Sequence, residues 1–223
     1  MDPEYFKHSR QEVAPFVPAQ RRRVLEVGCG EGTFVTSLSG VEESWGIEPS
    51  VAAEAARARF TQVFRATFEE VEAELPLAYF DVVICNDVIE HMPDHNRFLS
   101  AIGKHIAPGG LLIGSIPNVR FYNNMMQFLL EKDWHYTDAG ILDRTHVTFF
   151  TEKSFRKTLE RHGFTVVAMK GINTGVRFSD SRRTSVYLGL AKVLSALSFG
   201  YFSDILHLQF AFQASPMAAP VKT

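Results

Sequence analysis

The run Val24-Leu25-Glu26-Val27-Gly28-Cys29-Gly30-Glu31-Gly32-Thr33 constrains the fold of this chain more than any other stretch. A short apolar segment carries an acid, three glycines follow at alternate positions, and an amphipathic segment begins directly after them. This order predicts a buried strand that runs into a tight turn and out into a helix. Glycine allows positive φ and lets a ligand approach bare main chain. The dinucleotide fingerprint G-x-G-x-x-G needs a glycine where this chain has Thr33. A tight turn that binds nothing is the competing structural reading.

The rest of the chain alternates strands with helices. After the turn, 34–38 predicts a helix that Gly40 ends, and Trp45-Gly46-Ile47-Glu48 a second short strand ending in an acid. A helix over 50–59 and a weak strand over 62–65 follow, then a strong fourth strand over 80–86 and a helix over 94–105. Pro108-Gly109-Gly110 reads as a turn before a fifth strand at 111–116 that Pro117 ends. A helix over 151–162, with Thr151 as N-cap, leads to a strand at 164–169, a helix at 184–199 and a last strand at 206–212. Such alternation implies parallel pairing with crossovers, hence a doubly wound α/β sheet covered on both faces. Ligands of such sheets sit beyond the carboxyl ends of the strands, where strand order reverses.

A length of 223 residues suits one domain spanning 1–223, with the aromatic and polar segment 119–150 as an insertion over the sheet and 215–223 as a frayed tail. A net charge of -2 without a basic block disfavours nucleic acid as a partner. The first residues lack the pattern of a secretion signal, no apolar run is long enough to span a bilayer, and Cys29 and Cys85 fall in buried strand ends. A cytoplasmic chain, monomer or homodimer, is expected. The apolar segment 186–202 reads as a core helix, and it equally allows a dimer interface, a lid over an oily acceptor or peripheral membrane contact.

The E-x-G-x-G-x-G spelling at 26–32 resembles the cofactor turn of class I S-adenosylmethionine-dependent methyltransferases. Asn86-Asp87-Val88-Ile89-Glu90-His91-Met92 resembles the stretch that lines their cofactor cleft, and Gly140 to Thr151 resembles a segment of the Methyltransf_23-like enzymes. The resemblance implies a Rossmann-like seven-stranded sheet, mostly parallel with an antiparallel last strand. It implies S-adenosylmethionine as cofactor, with S-adenosylhomocysteine as product, and a small-molecule acceptor such as a sugar, lipid, quinone precursor or natural product. Transfer to a hydroxyl is expected ahead of transfer to nitrogen or carbon.

Site residues follow from that resemblance. Gly28, Gly30 and Gly32 would present backbone N–H groups to the methionine end of the cofactor, and Glu26 would accept from its α-ammonium. Glu48, about 20 residues past the first glycine, suits a ribose diol, a role that NAD enzymes share. Asn86 or Asp87 would bind the methionine end, and Val88 would line the sulfonium. Thr67 and Phe68 stand where the family often has an aspartate near adenine, and Phe68 fits the core equally well. Tyr5 and Arg10 fall in what looks like a short lid helix, where an arginine can clamp a carboxylate. Glu90 and His91 are expected to brace their loop. Asp143 and His146, three residues apart, are the expected catalytic pair, a carboxylate-oriented imidazole that takes a hydroxyl proton. Capping or bracing of the insertion is the alternative for His146, and His91, His135 and Tyr136 are lesser candidates. Asp138, Asp143 and His146 match no tight metal-ligand spacing, so no metal is expected. An NAD-dependent oxidoreductase and a non-catalytic module of the same fold are the competing functions. Thr33 and the 86–92 stretch argue against the first, and the intact glycine turn with Glu48 against the second.

Overall fold

Phe80-Asp81-Val82-Val83-Ile84-Cys85 shows how this sheet is made: apart from Asp81 it is apolar throughout, so both faces of the strand need cover. The structure, a computed structural model, describes residues 10–176 and 182–217. Tyr5 therefore lies outside the described residues. The strands are β1 (Arg23–Val27), β2 (Glu43–Ile47), β3 (Gln62–Phe64), β4 (Phe80–Asn86), β5 (Ile106–Pro117), β6 (Phe164–Thr174) and β7 (His207–Pro216). They form one seven-stranded sheet in the order β3-β2-β1-β4-β5-β7-β6. Pairing is parallel from β3 across to β5, and β7 runs antiparallel to both β5 and β6. The expected mostly parallel Rossmann-like sheet with a reversed last strand is what the chain adopts.

The helices are α1 (Ala53–Ala56), α2 (Phe68–Val71), α3 (His95–Ile102), α4 (Tyr122–Met126), α5 (Glu152–Arg161) and α6 (Arg182–Leu197). Alternate strand residues face two separate cores. Leu25, Val83, Cys85 and Leu112 meet Phe98, Leu99, Phe155 and Leu159 of α3 and α5. On the other face Val24, Val82, Ile84 and Ile113 meet Val13, Phe34, Val35, Ala56 and Phe60. A third cluster, around Phe121, Tyr122, Ile141, Tyr187, Ala191 and Ile205, joins α4 and α6 to the end of the sheet.

Three local expectations change. The helix expected at 34–38 is a single 3-10 turn, Val35–Ser37. Thr36 and Ser37 donate their hydroxyls back to the carbonyls of Thr33 and Phe34, which competes with helix propagation. The turn expected at 108–110 is a bulge inside β5: pairing steps from Phe80 opposite Ile106 to Val82 opposite Leu111. Gly110 fits there because a Cβ would sit 2.9 Å from the Asp81 carbonyl oxygen. Ser215 and Pro216, expected to start a frayed tail, pair with Thr165 and Phe164 in the sheet, and 218–223 lie outside the described residues. The insertion is closed at its neck, where Val119 donates its N–H to the Phe150 carbonyl at 3.0 Å and Asn118 bridges to Phe150.

Candidate active site

Strand order reverses between β1 and β4, and a cavity of about 370 Å³ opens beyond their carboxyl ends. Its lining includes Arg10, Glu26, Gly28, Gly30, Glu48, Asn86, Asp87 and Val88, all of them expected from the sequence. The size suits one bound small cofactor.

The glycines do not act as expected. The N–H groups of Gly28 and Cys29 donate to the Ile47 carbonyl (2.7 and 3.2 Å), that of Gly32 to Cys29 (2.8 Å), and that of Gly30 to Glu48 Oε2 (3.0 Å). These donors are thus used to fold the turn and do not point at a ligand. What glycine supplies is close approach. A Cβ on Gly28, at φ +70, would lie 2.4 Å from Val88 Cγ2, and one on Gly32, at φ +82, 2.7 Å from Phe60 Cε2. Gly28 and Gly30 border the cavity, whereas Gly32 sits behind it against Phe60.

Glu48 is buried, and its carboxylate takes the N–H groups of Gly30 and Ser50, one on each oxygen (3.0 and 2.9 Å). A carboxylate has about four acceptor sites, so each oxygen retains capacity for a diol hydroxyl. Glu26 is fully buried with one oxygen unpartnered, and burial, followed by the nearby Glu48 charge, pushes its pKa to about 8 against the pull of the Val35 backbone N–H. A cation beside it would reverse that shift.

Asn86 and Asp87 divide their work. Asp87, at φ +51, accepts from the Ser115 hydroxyl (2.7 Å), the Gln209 amide (2.6 Å) and Arg10 Nη2 (2.5 Å), so its carboxylate ties β4 to β5, β7 and the amino-terminal segment. Asn86 borders the cavity with neither of its buried amide atoms bonded. Of the two, Asn86 is the side chain with capacity to spare. Thr67 and Phe68 do not reach the cavity. Thr67 begins α2, where Glu70 accepts its N–H at 2.8 Å, and Phe68 is core, edge-on to Phe98 at 4.9 Å.

A second cavity, about 250 Å³, adjoins the first and shares Arg10 and Asp87 with it. Glu90, Pro117, Ile141, Asp143, His146 and Leu208 contribute to its walls. Here the expected pair fails to form. Asp143 Oδ1 accepts from the N–H and hydroxyl of Thr145 (2.8 and 2.7 Å), while His146 Nδ1 lies 2.8 Å from the Ile141 carbonyl and donates to it. The carboxylate near this imidazole is Glu90, whose Oε1 lies 4.0 Å from His146 Nε2. Glu90 is 1% exposed, neither oxygen has a hydrogen bond, and burial together with the Asp87 charge raises its pKa well above the carboxylate range. Its backbone carbonyl accepts the N–H groups of Val147 and Thr148, which stitches the loop after β4 to the insertion and sets the two side chains together. The His91 ring lies 4.5 Å from that of His146, and burial, then the neighbouring imidazole, lowers the His91 pKa.

Glu90, His91 and His146 also bring three ligand atoms within 4.8 Å of one another. A divalent ion held at about 2.0–2.2 Å would require these side chains to draw closer. This set differs from the local trio considered in the sequence, because its members are 55 and 56 residues apart along the chain in the case of His146 with His91 and Glu90. Gln209 and Ser115, which hold Asp87, had no signal in the sequence around Asp87, being brought in by β7 and β5.

Comparison with known proteins places the chain. The methyltransferase domain family Methyltransf_23 matches residues 2–169. A probable S-adenosylmethionine-dependent methyltransferase of Mycolicibacterium smegmatis is 37% identical over 44% of this chain and 38% of its own length. A ubiquinone biosynthesis O-methyltransferase of Paracidovorax citrulli is 32% identical over 51% of this chain and 49% of its own. The chain thus spans half or less of the length of these two relatives. A SAM-dependent methyltransferase of Archaeoglobus fulgidus shares the fold, with a TM-score of 0.68 at 21% identity, covering 96% of this chain and 94% of its own. The family model spans most of the chain, and the chain belongs to the methyltransferase domain family Methyltransf_23.

Proposed function

We propose that this chain methylates a hydroxyl oxygen of a small molecule. The observation that carries this reading is the buried Glu90–His146 pair in a cavity that abuts the cofactor cavity. With Nδ1–H donated to the Ile141 carbonyl, His146 presents Nε2 as an acceptor. S-adenosylmethionine, when bound, supplies an activated methyl group and departs as S-adenosylhomocysteine. Glu48 would hold the ribose diol, Glu26 the α-ammonium, and Asn86 a polar group of the methionine end, with Val88 beside the sulfonium. Arg10, at the junction of the two cavities, would close over that end. His146 would take the hydroxyl proton onto Nε2 as the oxygen bonds to the methyl carbon and the methyl–sulfur bond breaks, with Glu90 the acid nearest the resulting imidazolium. Much of the rate would come from alignment of oxygen and methyl carbon in adjoining cavities. The Paracidovorax citrulli relative, named as an O-methyltransferase, supports the choice of oxygen.

The test is transfer of labelled methyl from S-adenosylmethionine to panels of hydroxyl and amine acceptors, by the wild type and by His146→Ala. Turnover on the hydroxyl acceptor is expected to fall about 10²–10⁴-fold, with S-adenosylhomocysteine affinity unchanged by calorimetry. Unaltered turnover at neutral pH removes His146 from the chemistry.

A further inference from the structure

Helix α6 has two apolar faces, and the protein covers one of them. Thr184, Tyr187 and Ala191 are buried against α4 and the segment after α6. Val186, Leu190, Val193, Leu194 and Leu197 recur at helical spacing on another side, and all five are exposed. The stripe continues past the helix into the turn Phe199-Gly200-Tyr201, where Phe199 is 100% and Tyr201 82% exposed. Phe128, Leu129 and Leu130, also exposed, lie on the π-helical turn Gln127–Glu131. That turn is fastened beside α6 by Glu131, which accepts from Tyr187 (3.0 Å) and pairs with Arg183 (3.0 Å). An apolar surface this extended is rarely left to water.

Charge decides what covers it. From Arg182 to Ser203 the chain carries Arg182, Arg183 and Lys192 and no acid. Glu131 on the neighbouring turn already holds Arg183 at 3.0 Å, so this face keeps an excess of positive charge in Arg182 and Lys192, and a second copy would set that excess against itself. An anionic lipid surface satisfies both parts: headgroups for the cations and acyl chains for the leucines, with exposed aromatics at the tip suited to the headgroup boundary. No helix among the described residues is long and apolar enough to cross a membrane, so contact of this kind is peripheral. The cluster that seats α6 also walls the smaller cavity, since Ile141 and Leu208 belong to both.

We propose that the outer face of α6, with the 199–201 turn, docks on an anionic membrane surface. The docking does not depend on which acceptor is methylated, and it is measured without one. Co-sedimentation with vesicles of phosphatidylglycerol and phosphatidylcholine is compared with pure phosphatidylcholine for the wild type, Leu197→Glu/Phe199→Ser and Lys192→Glu. The wild type is expected to bind anionic vesicles at least tenfold more tightly than neutral ones. The double variant is expected to lose at least tenfold of that binding with melting temperature and S-adenosylhomocysteine affinity unchanged, and Lys192→Glu to weaken binding to anionic vesicles alone. Absence of wild-type binding, or equal binding by the double variant, overturns the proposal. So does a wild-type dimer by light scattering that the double variant dissociates, since the face is then a contact between copies.

Discussion

The β1–β4 half of the molecule and the cap formed by 119–150 with α6 are held together in opposite ways. Around the first cavity, geometry is held by main chain: the Ile47 carbonyl takes two N–H groups of the glycine turn, and Glu48 fastens the turn to the residues after β2. Around the second, it is held by side chains from distant segments, such as Asn118 to the carbonyls of Asp204 and His207, Arg120 to Asp204, and Tyr122 to the Val176 carbonyl. A site built on backbone and glycine contacts tolerates few changes of residue. A site built on side chains can be refitted to another acceptor while the sheet stays the same, which is how one fold serves many substrates.

Gly28→Ala tests this contrast most severely. The new Cβ would meet Val88 at 2.4 Å in a backbone conformation that L residues avoid. The two penalties together amount to about 2–5 kcal/mol, read as a loss in denaturant-unfolding free energy, and S-adenosylhomocysteine binding is expected to vanish from calorimetry. Retained binding would mean that the turn can relax and that the first half is not rigid.

Glu26 offers a pH test of the same half. Its pKa is raised to about 8 from an ordinary 4.5, so the folded chain holds this proton more tightly than the unfolded one. The contribution to stability is complete below about pH 4.5 and is lost as pH rises toward 8. Glu26→Gln is therefore expected to gain on the wild type by about 1 kcal/mol per pH unit across that window, and to level off above it. Binding of a cationic ligand would draw the proton off, so wild-type affinity should rise with pH up to about 8 and that of the variant should not. Parallel curves for both proteins would place the ammonium elsewhere.

Arg120→Ala asks the smallest question, whether the cap is independent. Arg120 pairs with Asp204 at 2.5 Å in a half-buried setting. Its loss is expected to cost about 1 kcal/mol and to leave S-adenosylhomocysteine affinity within about twofold, since energies of distant sites add. A larger drop in affinity would show that the two halves are coupled.

Sequence and structure agree best where a signal is local. The glycine turn, Glu48 and the 80–92 stretch could be read because strand, turn and acid follow one another within a few residues, and period and chemistry coincide there. The roles within that turn were less legible: glycine at 28 and 32 makes room for Val88 and Phe60, which come from the β4 loop and from the segment before β3. Phe68 has the residue type of a base-stacking ring, and only its contact with Phe98 identifies it as core. Asp143 and His146 have the spacing of a pair, yet Thr145 between them captures the carboxylate.

The sequence alone determined the layered α/β sheet and the side on which a cavity opens, because apolar periodicity and glycine placement act over short stretches of chain; the reversed last strand was implied only by the resemblance to the methyltransferase family. Tertiary structure decided which acid faces His146, which of Asn86 and Asp87 is spoken for, and that α6 leaves one apolar face bare. Those outcomes depend on segments far apart in the chain arriving at one place, and their burial and charge exist only once the sheet has brought them there.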